Sequence, residues 1–122
     1  MIVFDSSAVL AWFQNEPGQE HVDAVLNGAR ISAANWAEVL QKVAQAGRDA
    51  DEVGDLILSL GLVVEPVLPA DARPIAELWS AKGSLSLGDR CCLALGVRLR
   101  ARVYTADKEF EDVPDIVVFC IR

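Results

Sequence analysis

The pattern that most constrains this chain is a set of short apolar runs, each handing over to a helical period. Ile2-Val3-Phe4, Leu62-Val63-Val64-Glu65, Arg102-Val103-Tyr104-Thr105 and Ile116-Val117-Val118-Phe119-Cys120 are short and rich in β-branched and aromatic residues. Such runs read as strands buried on both faces, as in a parallel sheet. Arg30-Ile31-Ser32-Ala33 is a weaker fifth candidate. Strands alternating with helical patterns imply crossover units. The expected architecture is a three-layer α/β/α fold around a central parallel sheet of four to five strands. At 122 residues it forms one domain, 1–122, large enough for its own core.

Caps and stops place the helices. Ser7 to Asn15 reads as a short helix interrupted by Glu16-Pro17-Gly18, with Pro17 opening a second that runs to about Asn27. Asn35 is positioned to cap a third, with Glu38 as its capping-box partner and Trp36, Val39, Leu40, Val43 and Gly47 on one face. A fourth begins at Asp49 or Asp51, with Val53, Leu56, Ile57 and Leu60 as its apolar pattern, and stops at Gly61. Pro69 to Trp79 is a fifth, kinked at Pro74, with Ala72, Ile75, Ala76 and Trp79 inward. Ser86 caps the sixth, which continues to about Arg100 through Leu87, Cys91, Leu95 and Leu99. Trp12, Trp36 and Trp79 all take core or interface positions by this reading.

Composition narrows the function. The 18 acids against 11 Lys and Arg give a net charge of −7, which argues against a general nucleic-acid coat. Between Lys82 and Lys108, however, six basic residues stand against two acids, a cationic stretch in an acidic protein. Its plain reading is an amphipathic helix with solvated arginines; its functional one is a hold on a phosphate backbone. Hydrophobic residues make up 52%, yet no run approaches the roughly 18 needed to span a bilayer. The apolar surplus points to an oligomer or partner interface. Cys91, Cys92 and Cys120 fit reduced thiols, and no basic leader precedes the first strand, so the expected location is cytoplasmic, with no membrane contact. His21 is the one histidine, which leaves zinc sites and Ser-His or Cys-His devices poorly supported.

Three acids stand at related places. Asp5 follows the first strand and Asp107 follows Arg102–Thr105, both at carboxyl ends; Asp89 lies in the first turn of the helix feeding the second of those strands. Open α/β folds place their ligand crevice at that end of the sheet. Glu38, in the first turn of an earlier helix, joins by the same logic. Carboxylates gathered in a low-dielectric crevice repel one another, and Mg²⁺ or Mn²⁺, hard ions preferring oxygen, relieve that repulsion. A metal site there would activate water against a phosphodiester, with Ser7 and Thr105 orienting ligands or waters. Each acid also has an ordinary reading. Asp5 caps a helix, Glu38 completes a capping box or pairs with Lys42, Asp89 completes the box with Ser86, and Asp107 is a turn residue.

The ordered segments Asp5-Ser6-Ser7-Ala8, Ile31 through Leu40, Ser86 through Leu95 and Tyr104-Thr105-Ala106-Asp107 closely resemble PIN-domain proteins, specifically the VapC toxins of bacterial toxin–antitoxin pairs. The resemblance spans essentially the whole chain. It implies a PIN domain whose metal-binding and catalytic acids are Asp5, Glu38, Asp89 and Asp107, and a Mg²⁺- or Mn²⁺-dependent endoribonuclease. It also implies a homodimer and a cognate VapB-type antitoxin, with DNA contacted only indirectly through the antitoxin. Lys82, Arg90 and Lys108 are candidate RNA contacts, and Glu109, Glu111 and Asp112 are open as further contributors. A catalytically silent PIN-fold binding module is the alternative. A receiver-type signalling domain fits less well, because Leu62–Glu65 runs into Pro66 rather than an acceptor aspartate. A haloacid-dehalogenase-type phosphatase wants an acid where Ser7 stands.

Overall fold

In a computed structural model, the backbone is described over residues 1–122 and the side chains of all but residues 111 and 112. Five strands, β1 (Ile2–Phe4), β2 (Arg30–Ser32), β3 (Val63–Glu65), β4 (Arg102–Thr105) and β5 (Val118–Cys120), form one sheet in the order β3-β2-β1-β4-β5. Every pairing is parallel. Six α-helices connect them: α1 (Ser6–Phe13), α2 (Gln19–Asp23), α3 (Ala33–Gln45), α4 (Ala50–Ser59), α5 (Ala72–Glu77) and α6 (Leu87–Leu99). The expected three-layer α/β/α architecture is the one observed.

Strand alternation builds the layers. Val3 enters a cluster with Cys92, Leu93, Leu95, Val103 and Phe110, on the side covered by α6. Its neighbour Phe4 enters the opposite cluster with Val9, Val22, Ile31, Val39 and Ile57, covered by α1 to α4. Both are fully buried, and each such side chain contributes about 1.5–3 kcal/mol through the hydrophobic effect. Helix α6 is buried from Cys91 to Gly96 without a break, so it is a central element rather than an amphipathic cover. The cysteines are free thiols.

Several local expectations change. Helix α3 is capped by Ser32, not Asn35: the serine hydroxyl accepts from Ala34 N at 3.3 Å, because β2 runs directly into the helix with no linker. The stretch from Pro69 breaks into a 3₁₀ turn (Pro69–Asp71) and the short α5. Pro74 causes no kink, since it lies in the first turn of α5, where an N–H has no intrahelical partner. With that helix ending early, Trp79 lies beyond its cap and is 63% exposed. In α4 the buried face is Val53, Gly54 and Ile57, while Leu56 and Leu60 are exposed. Gly54 takes the inward place because a Cβ there would lie 3.0 Å from Leu40 and 3.4 Å from Trp36 of α3. Helix α2 is shorter than expected, and β5 starts at Val118 rather than Ile116. Trp12 and Trp36 pack against the core as expected.

Candidate active site at the carboxyl end of the sheet

The chain adds β2 and β3 on one side of β1, then crosses to place β4 and β5 on the other. The strand order therefore reverses between β1 and β4, and a crevice opens outside the carboxyl ends of such a pair. Phe4 stands opposite Tyr104, and Asp5 N donates to the Tyr104 carbonyl at 3.2 Å. That register delivers Asp5 and Thr105 side by side at the mouth of the crevice.

Asp5 is 3% exposed and held on both oxygens. Its Oδ1 accepts from the Ser7 hydroxyl at 2.7 Å and from Ala8 N at 2.9 Å, capping α1. Its Oδ2 accepts from the Thr105 hydroxyl at 2.5 Å. Ser7 and Thr105 lie 3.2 Å apart, Ala106 N donates to Ser7 Oγ at 2.9 Å, and Asp107 N donates to Thr105 Oγ1 at 2.9 Å. Residues a hundred positions apart thus form one network. Burial pushes the Asp5 carboxyl up to about 6, with the charge of Asp89 adding to the effect and the bonds from Thr105, Ala8 and Ser7 opposing it.

Asp89 reaches the same place from α6. Its Oδ2 accepts from Ser86 N at 2.8 Å while its own N–H donates to Ser86 Oγ at 3.1 Å, a reciprocal capping box. Burial raises its carboxyl, and the charges of Asp107 and Glu38 raise it further. Cys92, one turn along α6, is fully buried; its thiol is raised well above 9 mainly by burial, with Asp5, Asp89 and Glu38 adding. The four acids therefore act on one another through space at the first turn of α6.

Glu38 extends from α3, not as a capping partner but toward α6. Its Oε1 accepts from Asn35 Nδ2 at 2.9 Å, and the same nitrogen donates to the Gly88 carbonyl at 3.0 Å. Asp107 caps the 3₁₀ turn Lys108–Asp112 by accepting from Glu109 N at 3.0 Å. For Asp5, Asp89 and Asp107 the ordinary reading holds together with the convergence: each caps a helix or turn, and each faces the crevice end of the sheet.

The basic residues divide. Lys82 and Lys108 are exposed on segments flanking the acids, before α6 and after Asp107. Arg90 turns away, donating to the Ile75 carbonyl at 3.0 Å and the Ser86 carbonyl at 3.4 Å. Arg98 pairs with the buried Asp71 at 3.0 Å and donates to the Pro66 carbonyl at 2.9 Å. Arg100 and Arg102 line a hollow of about 430 Å³ between the end of α6 and the start of β4, at the amino end of the sheet. The stretch from Lys82 to Lys108 is thus not one cationic surface at the crevice; Arg98 is structural, and Arg100 and Arg102 lie at the opposite pole. Glu109 is exposed, whereas the side chains of Glu111 and Asp112 lie outside the described residues. Asn35 was hidden from sequence reasoning by its resemblance to a cap; the one available signal was an amide three residues before an acid, on the same helix face.

Among the described residues none of the four acids is ion-paired. Nor do three of them stand close enough to form a ready ligand cage. A ready cage is not required for Mg²⁺, which sheds water reluctantly and is commonly bound through only one or two carboxylates. The donor set is all oxygen, and Asp5 sits where burial disfavours its own charge. These residues fit a hard divalent cation.

A sequence model described as PIN domain matches residues 2–116. No curated protein sequence matches the chain. A toxin–antitoxin complex from Klebsiella pneumoniae superposes with a TM-score of 0.80 at 19% identity, covering 100% of this chain and 98% of that one. A DNA-bound VapBC from Salmonella typhimurium gives 0.77 at 17%, covering 99% and 98%. A Mycobacterium tuberculosis VapC toxin described as cleaving the sarcin-ricin loop gives 0.74 at 16%, covering 91% and 93%.

Proposed function

Because the chain belongs to the PIN-domain family, we propose that it is a divalent-metal-dependent endoribonuclease and the toxin of a VapBC-type toxin–antitoxin pair. The observation that carries the reading is Asp5: a buried carboxylate beside Asp89, raised to about 6, with no cationic side chain paired to it among the described residues. Asp5 and Asp89 are the residues to hold Mg²⁺ or Mn²⁺, with Glu38 and Asp107 completing the acid set. When bound, the cation supplies an activated water and charge relief at a phosphodiester.

The chain's own residues do the positioning. Ser7 and Thr105 fix the Asp5 carboxylate from both sides, so its geometry needs no rearrangement during the reaction. The Ser86 capping box holds one oxygen of Asp89 and thereby fixes its rotamer. Lys82 and Lys108 attract the phosphate backbone to the flanks of an otherwise acidic crevice. Arg90 contributes through the Ile75 carbonyl, keeping α5 against the first turn of α6. The neighbours include a toxin–antitoxin complex and a DNA-bound VapBC, which supports a VapB-type antitoxin as partner; the reading further includes a homodimer and DNA reached through that antitoxin. No helix among the described residues is long and apolar enough to cross a membrane.

Purified protein free of antitoxin is expected to cut RNA with Mg²⁺ or Mn²⁺ and to stop with EDTA. Asp5→Asn should remove cleavage while keeping the fold, since asparagine caps helices as well as aspartate. Robust cutting by that variant would sink the mechanism. Wild-type protein that binds an antitoxin but cuts no RNA in either metal would favour the silent binding module instead.

A further inference from the structure

The crevice holds one group that the acids do not account for. Asn35 is 1% exposed, in the first turn of α3, and both hydrogens of its amide are engaged, one by Glu38 Oε1 at 2.9 Å and one by the Gly88 carbonyl at 3.0 Å. Both acceptors are oxygens, so the nitrogen is assigned by its partners. Its Oδ1 is buried and has no donor. A buried acceptor left without a donor is destabilising. Gly88 adds a second constraint: a Cβ there would lie 2.7 Å from Glu38 Oε1 and 3.0 Å from its carboxyl carbon. The carboxylate of Glu38 rests directly on the first turn of α6, one residue from Asp89.

We propose that Asn35 and Gly88 form a seat that sets the Glu38 carboxylate against Asp89. The proposal rests on the metal-site reading above and adds two positioning residues to it. Without the seat, Glu38 is a flexible side chain on a half-exposed helix face, repelled by Asp89. With it, two acids on separate helices keep a fixed spacing before any ion arrives. A side chain at Gly88 would push the Glu38 carboxylate off this position, a shift the flexible glutamate can make while the backbone stays in place. Asn35, on the amide side, supplies the two donors that no carboxylate or hydroxyl of that size offers together.

The test is Mn²⁺ affinity, read from the free-ion signal in electron paramagnetic resonance, on the full chain without antitoxin. Wild type is compared with Asn35→Leu, close in size but without donors, and with Gly88→Ala, which leaves Asn35 intact and only displaces the carboxylate. Both variants should bind Mn²⁺ at least about 10-fold more weakly, the usual effect of losing a partner behind a metal ligand. Cleavage should fall in kcat with KM little changed. Melting curves separate positioning from structure: the rise in Tm on adding Mn²⁺ should shrink in both variants, whereas a merely structural loss lowers the starting Tm and leaves the rise intact. If Asn35→Leu does not fold, Gly88→Ala carries the test. Folded variants with the wild-type Mn²⁺ affinity overturn the seat alone; wild type that binds no Mn²⁺ overturns the metal-site reading and the seat with it.

Discussion

At the residue scale, Asp5 concentrates the competing demands of the site. Burial raises it from 3.8 to about 6, so the folded metal-free chain keeps a proton that the unfolded chain has already released. The sign follows from linkage: stability from this group is fully present below about pH 4 and is lost as pH rises through about 6. In EDTA, wild type should lose about 2 kcal/mol of unfolding free energy between pH 4.5 and pH 7.5 relative to Asp5→Asn, measured by urea melts. Parallel pH curves for the two proteins would show that Asp5 ionises without penalty. Asp5, Asp89 and Asp107 were legible in the sequence because strand ends and capping boxes are local patterns. Glu38 was legible as an acid near a helix start but was placed one turn too early: Ser32 competes with Asn35 for the cap and wins by adjacency to β2, so Glu38 lies in the second turn of α3. The bond from Asn35 to Glu38 follows a local spacing on one helix, whereas the bond from Asn35 to Gly88 joins α3 to α6, and no local pattern encodes it.

At the element scale, α6 is both the core of one layer and the carrier of Asp89. Its last turn is pinned by Arg98 to Asp71, which is 5% exposed and also accepts from Leu68 N at 2.9 Å. Removing the arginine strands a buried carboxylate, so Arg98→Met is expected to cost about 3 kcal/mol in a denaturant melt while the folded protein keeps its RNA affinity. Weaker RNA binding by folded Arg98→Met would return Arg98 to the phosphate surface. Helix α6 and strand β4 matched the sequence because Ser86, the capping box and the apolar run are strong local signals. The fifth helix did not, because its inward face was drawn through Trp79. A hydrophobic period cannot reveal that the backbone leaves the helix at Leu78. In α4 the apolar pattern is buried at Val53 and Ile57 and exposed at Leu56 and Leu60; the inward place of Gly54 stayed hidden because a glycine pressed against Trp36 and Leu40 looks like an absence of side chain rather than a contact.

At the scale of the whole molecule, topology does most of the functional work. The reversal between β1 and β4 makes a crevice at a site with little backbone bulk, and four acids arrive there from β1, α3, α6 and the end of β4. The parallel sheet was legible in the sequence, while the order of its strands was not, since order depends on which crossovers pack. Large apolar side chains stay exposed, among them Leu56, Leu60, Val67, Trp79 and Leu87. The expected solution mass is therefore that of a homodimer, twice 13.2 kDa, by light scattering at micromolar concentration. A monomer under those conditions would remove the homodimer from the reading.

The span between Asp5 and Thr105 has a consequence for how such a protein is made. The bond joining them closes a loop of about a hundred residues, and β1 lacks its neighbour on that side until β4 has left the ribosome. A half-translated chain carries Asp5, and later Glu38, with nothing opposite them. For most of synthesis the ribosome thus carries a chain whose acids have not been gathered, and the crevice is completed only when the distant strand slots in beside the first.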